Sequence, residues 1–290
     1  MKLVNYYRES NLCLGVKTEK GVIDVESALK GSSIYDAITV DDLIKSVESD
    51  LIIQMIKDIS LDETVILNEQ ELTLGPCISK PEKIICVGLN YRKHADECGM
   101  APPKEPILFS KFNNSLTGSG STVEIPSNSL QVDYEVELAI IIGKEAKNIS
   151  IEKVDDYIFG YCVANDISAR DLQFKGPQWL LGKSCDGFCP VGPYVVTKDE
   201  IEDPNNLKIK TWLNDEIRQN SNTSDMIFNC QEIVSYVSKH MTLKPGDIIL
   251  TGTPEGVIVG DPEEKRVWIK ASDKVTVEIE KLGRLTNNFS

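Results

Sequence analysis

The run DYEVELAIIIG, from Asp133 to Gly143, puts acids where a sheet protein needs apolar side chains. Glu135 and Glu137 are two residues apart and lead directly into the apolar residues 138–142, so on a strand both carboxylates point to the same face. A third acid, Asp166, closes the apolar run FGYCVAND. Burying such charges without compensation costs on the order of several kcal/mol per ion, so a cation belongs among them. Three carboxylates form a hard, all-oxygen donor set that suits magnesium, manganese or calcium and does not suit zinc or copper. ExE strands also occur on solvated sheet faces, held by salt bridges, and the strand alone leaves that alternative open.

The chain has 290 residues, room for one large domain and a smaller one. Its net charge of -14 repels nucleic acid and anionic membrane surfaces, so neither is expected as a partner. A small anion can still bind through a metal, a few placed cations and backbone N–H groups. The opening MKLVNYYRESNLCLG has no apolar signal region, and no stretch is apolar enough to span a bilayer. A soluble, cytoplasmic protein is predicted. The eight cysteines lack the paired spacing of a disulfide framework or a zinc ribbon and read as reduced, structural residues.

Residues 1–75 read as a small N-terminal α+β domain. LCLGV and GVIDV flank a polar turn and predict a hairpin. Leu43, Ile44, Val47, Leu51, Met55 and Ile59 recur at spacings of three and four and predict one amphipathic helix over 39–59, capped by Thr39 or Asp41. Gly75-Pro76 and Lys80-Pro81 mark the linker to a second domain, 76–290. There, short strand-like runs (KIICVG, ELAIIIG, FGYCVAND, GPYVV, KIKTWLN, DIILTG, KVTVEIE) outnumber helices and do not alternate with them. The predicted class is therefore α+β and β-rich, with no doubly wound sheet. Helices are expected near Tyr91–Cys98, after Ser168 as its cap, and from Asn229 to His240.

Only two histidines occur. His94 precedes Glu97 by three residues, a helical spacing that lets the carboxylate orient the imidazole and favour its charged form. Such a pair can activate water, or can be an incidental surface pair. His240 ends a helix, where a cation is favourable, and reads as structural. Gly99, Pro102, Pro103 and Pro106 preclude regular structure after Glu97 and have the composition of a lid. Lys183 in LGKSCDG and the TGTPEGV turn at Thr251–Val257 are weaker signals, a cation and a set of donors for an anionic substrate.

In order and spacing, VGLNYRKHADE, DYEVELAIIIG, FGYCVANDISARDLQ, GKSCDGFCPVGPY, NDEIRQNSNTSDMIF, LKPGDIILTGTPEGV and VTVEIEKLGRLTN resemble the fumarylacetoacetate hydrolase (FAH) family. The resemblance implies an FAH-type mixed β-roll or sandwich, usually a homodimer, with one magnesium or manganese at its mouth. It implies Glu135, Glu137 and Asp166 as metal ligands, and Arg170, Gln173 and Thr253 as substrate contacts. His94, Glu97 and Lys183 match the catalytic positions.

The implied substrate is a small anionic 2-oxo acid with a second carbonyl or carboxylate beyond C3. Cleavage of its C3–C4 bond leaves charge on the C2 oxygen, where a metal and Lys183 can stabilise it as a pyruvate enolate. The expected activity is therefore C–C bond cleavage of a 2,4-dioxo or β-keto acid, as an acylpyruvate-type hydrolase or an oxaloacetate decarboxylase. The alternatives are an isomerase or tautomerase of the 2-hydroxyhepta-2,4-diene-1,7-dioate type, and a non-catalytic metal- or ligand-binding module.

Overall fold

The apolar run after the acids forms the strand Val136–Ile142, buried along its whole length. It lies inside a sheet, paired antiparallel with Ile158–Asn165 on one side and Ile248–Leu250 on the other. Both of its faces are covered, which is why the sequence reads as continuous rather than alternating. Leu138, Ile140 and Ile142 enter one hydrophobic core, and Ala139 and Ile141 enter a second on the opposite face. The two-residue strand period extends the Ala139 and Ile141 side back to Glu137 and Glu135.

The fold was obtained as a computed structural model that describes residues 1–29, 39–59 and 65–290. Beyond Ile248–Leu250 the sheet continues through Ile84–Gly88, in parallel, to the edge strand Ile107–Lys111. In the other direction Ile158–Asn165 pairs with Cys189–Thr197, which pairs with Lys2–Arg8. The N-terminal hairpin, Asn11–Thr18 with Gly21–Asp24, and the short strand Ile66–Leu67 complete that side. The first segment of the chain thus extends the large sheet by backbone hydrogen bonds.

A second sheet of five strands runs in the order Glu216–Asn222, Lys208–Leu213, Lys274–Ile279, Gly283–Phe289, Thr122–Val123. Its inward residues Ile209, Val275, Val277, Leu285 and Phe289 share the core of Leu138, Ile140 and Ile142. The expected β-rich α+β class with a mixed sandwich is the observed one.

Two local expectations require correction. The helix predicted over 39–59 is two helices, Val40–Lys45 and Ser49–Lys57. The break is at Ser46, whose backbone is extended (φ -68°, ψ 136°), and Val47 and Leu51 point to solvent rather than into the core. Thr39 does cap the first helix, accepting the Asp42 N–H at 3.2 Å. Ser168 caps no helix. Its backbone pairs with Asp133, its hydroxyl donates to the Asp166 carbonyl at 2.9 Å, and the single helical turn Arg170–Gln173 begins after Ala169. The helix Cys230–His240 starts, as expected, at Asn229, with a capping box closed by Glu232.

Candidate active site

Asp166 follows the strand Ile158–Asn165, and its N–H donates to the Glu135 carbonyl at 2.9 Å. The Asn165 side chain in turn accepts the Glu135 N–H at 3.0 Å. Neighbouring strands therefore fasten the two acids to one another. Carboxylate oxygens of Glu135, Glu137 and Asp166 lie within 4.8 Å of one another, all three residues buried.

Three cations face these acids from other elements. Lys183, at the end of the turn Leu180–Lys183, places Nζ 2.6 Å from Glu135 Oε2 and 2.8 Å from Asp166 Oδ2. Lys111, the last residue of the edge strand, reaches the other Asp166 oxygen at 2.5 Å and the Ile167 carbonyl at 3.1 Å. Arg170 Nη1 lies 2.7 Å from Glu135 Oε1 and donates to Gln173 Oε1 at 3.0 Å. Its Nε donates to Asp133 Oδ2 at 2.9 Å, while Nη2, equally near that oxygen, lacks hydrogen-bonding geometry and remains an unfulfilled buried donor.

The titration behaviour follows from this pairing. Burial raises the Glu135 pKa, but the charges of Lys183 and Arg170 outweigh it and bring the value down to about 2. Glu137 moves in the opposite direction: burial, then the charges of Asp166 and Glu135, push it well above the ordinary carboxylate range. Its Oε2 accepts the Gly252 N–H at 2.6 Å. Lys183 is desolvated, yet Asp166 and Glu135 hold it above its usual value.

A divalent cation fits this arrangement on donor chemistry and on the unpaired Glu137. Among the described residues Lys111, Lys183 and Arg170 pair with Asp133, Glu135 and Asp166, and Glu137 is the buried acid of this cluster that no side-chain cation contacts. Glu135, Glu137 and Asp166 present oxygens only, the donor type of magnesium and manganese.

His94 lies on the helix Arg92–Glu97, with Nδ1 3.1 Å from Glu97 Oε2. The other Glu97 oxygen accepts the Gly256 N–H at 2.9 Å, from the turn that follows TGTP. Burial disfavours the imidazolium, but hydrogen bonds to Cys98 and Glu97 and the Glu135 charge raise its pKa to about 9. His240, by contrast, packs against Tyr236 at a ring separation of 4.7 Å and is not among the residues that line the cavity around His94.

These groups surround one cavity of about 260 Å³. His94, Glu135, Glu137, Arg170, Gln173, Lys183 and Thr253 line it, and Phe109, Trp179 and Val87 supply apolar wall. Asp166 sits behind Lys183, and Glu97 sits behind His94. All nine site residues expected from the sequence are therefore in this one cluster. The sequence reading did not single out Lys111, whose only signal is a charge closing an apolar strand, or Gln219, which sits in the largely polar run EIRQNSN. Asp133, the first acid of DYEVEL, is visible in the sequence, but its partners Arg170, Ile258 and Val259 are not.

The family model for the C-terminal domain of fumarylacetoacetate (FAA) hydrolase matches residues 83–290. The chain belongs to the fumarylacetoacetate hydrolase family. Among family relatives, the mitochondrial oxaloacetate tautomerase fahd2 of Xenopus laevis is 49% identical over 224 residues, 77% of this chain and 70% of that protein. The fumarylacetoacetate hydrolase of Exiguobacterium antarcticum superposes with a TM-score of 0.86 at 33% identity, covering 100% of this chain and 99% of that one. Maleylpyruvate hydrolase from Sphingobium sp. SYK-6, solved with manganese(II) and pyruvate, gives 0.80 at 28% identity, covering 100% and 98%. The first 82 residues lie outside the family model, although the likeness to both solved structures runs the whole chain.

Proposed function

We propose that this protein catalyses keto–enol tautomerisation of oxaloacetate, a four-carbon 2-oxo dicarboxylate. One observation carries the reading: a single oriented imidazole, His94, faces a cluster of acids and cations across a small cavity. Tautomerisation needs only this much machinery. One proton arrives at C3, one leaves the C2 hydroxyl, the C2=C3 double bond gives way to C2=O, and no σ bond between heavy atoms is made or broken. The name of the frog relative supports the same substrate.

In this reading Glu135, Glu137 and Asp166 hold magnesium or manganese, which when bound supplies Lewis acidity at the substrate's C2 oxygen. Lys183 Nζ adds a second positive charge there, the kind of preorganised electrostatic contact that is worth roughly 2.7–4 kcal/mol in measured cases. The Thr253 hydroxyl and the Gln173 amide N–H groups bind substrate carboxylate. Glu97 on Nδ1 leaves Nε2 of His94 to deliver the proton to C3, and the hydrogen bond to the Glu97 carboxylate favours the charged imidazole. Phe109 and Trp179, in edge contact at 5.2 Å, wall the site against water that would compete for that proton.

C–C bond hydrolysis is the second reading, favoured by the intact pair of His94 and Glu97 and by the maleylpyruvate hydrolase likeness. There the imidazole must be neutral to take a proton from water. Decay of enol oxaloacetate, with carbon dioxide release and acetylpyruvate cleavage followed in parallel, separates the chemistries. Tautomerisation is expected to dominate with magnesium or manganese present. Faster acetylpyruvate cleavage with no acceleration of enol decay would overturn the first reading.

A further inference from the structure

Thr253 follows a glycine and precedes a proline in an irregular segment, where a hydroxyl would ordinarily rotate between partners. Here one of its lone pairs is already taken: Gln219 Nε2 donates to Thr253 Oγ1 at 2.9 Å. The same nitrogen donates to the Pro254 carbonyl at 2.9 Å. The amide cannot be turned over, because its Oε1 accepts the Val136 N–H at 3.1 Å and the Thr211 hydroxyl at 2.7 Å. A backbone N–H can only donate, so oxygen must face Val136 and nitrogen must face Thr253. All four hydrogen-bonding positions of Gln219 are therefore in use, and the residue is fully buried.

Two consequences follow for the cavity. With its oxygen receiving Gln219, the Thr253 hydroxyl has no acceptor among the described residues, so its proton is available to the cavity that Thr253 lines. Val136 is also the residue between Glu135 and Glu137, so one side chain ties Thr253 to the strand that carries both acids.

The geometry points to Gln219 as a positioning residue for substrate binding: its amide commits the Thr253 hydroxyl to donation and sets its register against Glu135 and Glu137. This rests on the reading of Thr253 as a substrate-carboxylate contact. In Gln219→Met the hydroxyl loses its donor and regains free rotation. In Gln219→Glu, of nearly the same shape, the new oxygen attracts the hydroxyl proton away from the cavity.

The test is calorimetric binding of oxalate to the magnesium-loaded protein, a readout that needs no turnover. Thr253→Val is expected to weaken oxalate by about tenfold or more, the loss of a hydrogen bond to a charged group. Gln219→Met and Gln219→Glu are expected to weaken it comparably, and Gln219→Met with Thr253→Val no further than Thr253→Val alone. With oxaloacetate, KM should rise while kcat stays within about twofold, since the contact is equally present before and during proton transfer. If Gln219→Met fails to fold, Gln219→Glu carries the same double-mutant cycle. Additive losses, or Gln219 variants that bind oxalate normally while Thr253→Val does not, would overturn the proposal. Normal oxalate binding in Thr253→Val would instead remove the substrate-contact reading, and the role of Gln219 with it.

Discussion

His94 Nδ1 lies 3.1 Å from Glu97 Oε2, and the second oxygen of that carboxylate receives the Gly256 N–H at 2.9 Å. The carboxylate is held at both ends, so it fixes the plane of the imidazole, whose Nε2 has Cys98 Sγ at 3.9 Å. Glu97→Gln removes the charge while leaving the shape. The kcat for enol decay should drop by on the order of a hundredfold, the lower end for a positioned acid or base, with manganese affinity within about twofold of wild type. Steady-state kinetics and manganese titration check both, and an unchanged kcat would show that the pair is incidental.

The same contact makes a prediction about pH. The His94 pKa is raised from 6.5 to about 9 in the folded protein: burial opposes the charge, but Cys98, Glu97 and Glu135 outweigh it. A folded state that binds the proton more tightly than the unfolded state gains stability from it. This contribution is complete below pH 6.5 and is lost as the pH climbs to about 9. The Tm of the metal-free protein should decline through that window, and the decline should be shallower in His94→Gln. Parallel curves for the two proteins would remove His94 as the source.

Gly260 offers an approach to the dyad that alters neither member. A Cβ built there would lie 2.3 Å from Glu97 Cδ, so Gly260→Ala must displace that carboxylate. Its activity should fall to the level of Glu97→Gln. Because the side chain that yields is flexible and partly exposed, the Tm should shift by no more than a few degrees, about 1 kcal/mol or less. A large loss of Tm with normal specific activity would place the role of Gly260 in the fold instead.

The acids were legible in the sequence because charge inside an apolar strand contradicts its surroundings, and the two-residue period gives Glu135 and Glu137 a shared face. Order and spacing of motifs brought in Arg170, Gln173, Lys183 and Thr253. The partners behind them were not legible. Lys111 meets Asp166 across a sequence separation of 55 residues, and Gln219 meets Thr253 across 34. A buried lysine or glutamine looks like a surface one until the sheets are packed. The break at Ser46 was hidden for a similar reason: apolar spacing continues through Val47 and Leu51, while the backbone turns them to solvent.

Lys183 and Lys111 both bond Asp166, and they should part company when metal is added. Lys183 Nζ contacts oxygens of two of the three proposed ligands and lines the cavity. Lys111 Nζ is enclosed, holding the far Asp166 oxygen and the Ile167 carbonyl. Removing one partner of a buried pair typically costs about 3–5 kcal/mol, because the other charge is left unpaired. Both Lys183→Met and Lys111→Met should therefore lower the Tm of the metal-free protein. Manganese brings positive charge to Glu135 and Asp166 on the side that Lys183 vacates, so saturating metal should restore most of the stability of Lys183→Met. It cannot supply the donor that the Asp166 oxygen and the Ile167 carbonyl lose in Lys111→Met, and that deficit should persist. Thermal melts of the three proteins across a manganese titration decide the matter: equal recovery of both variants would mean that the two lysines are interchangeable counter-charges, and recovery of neither would mean that the metal does not engage Glu135 and Asp166.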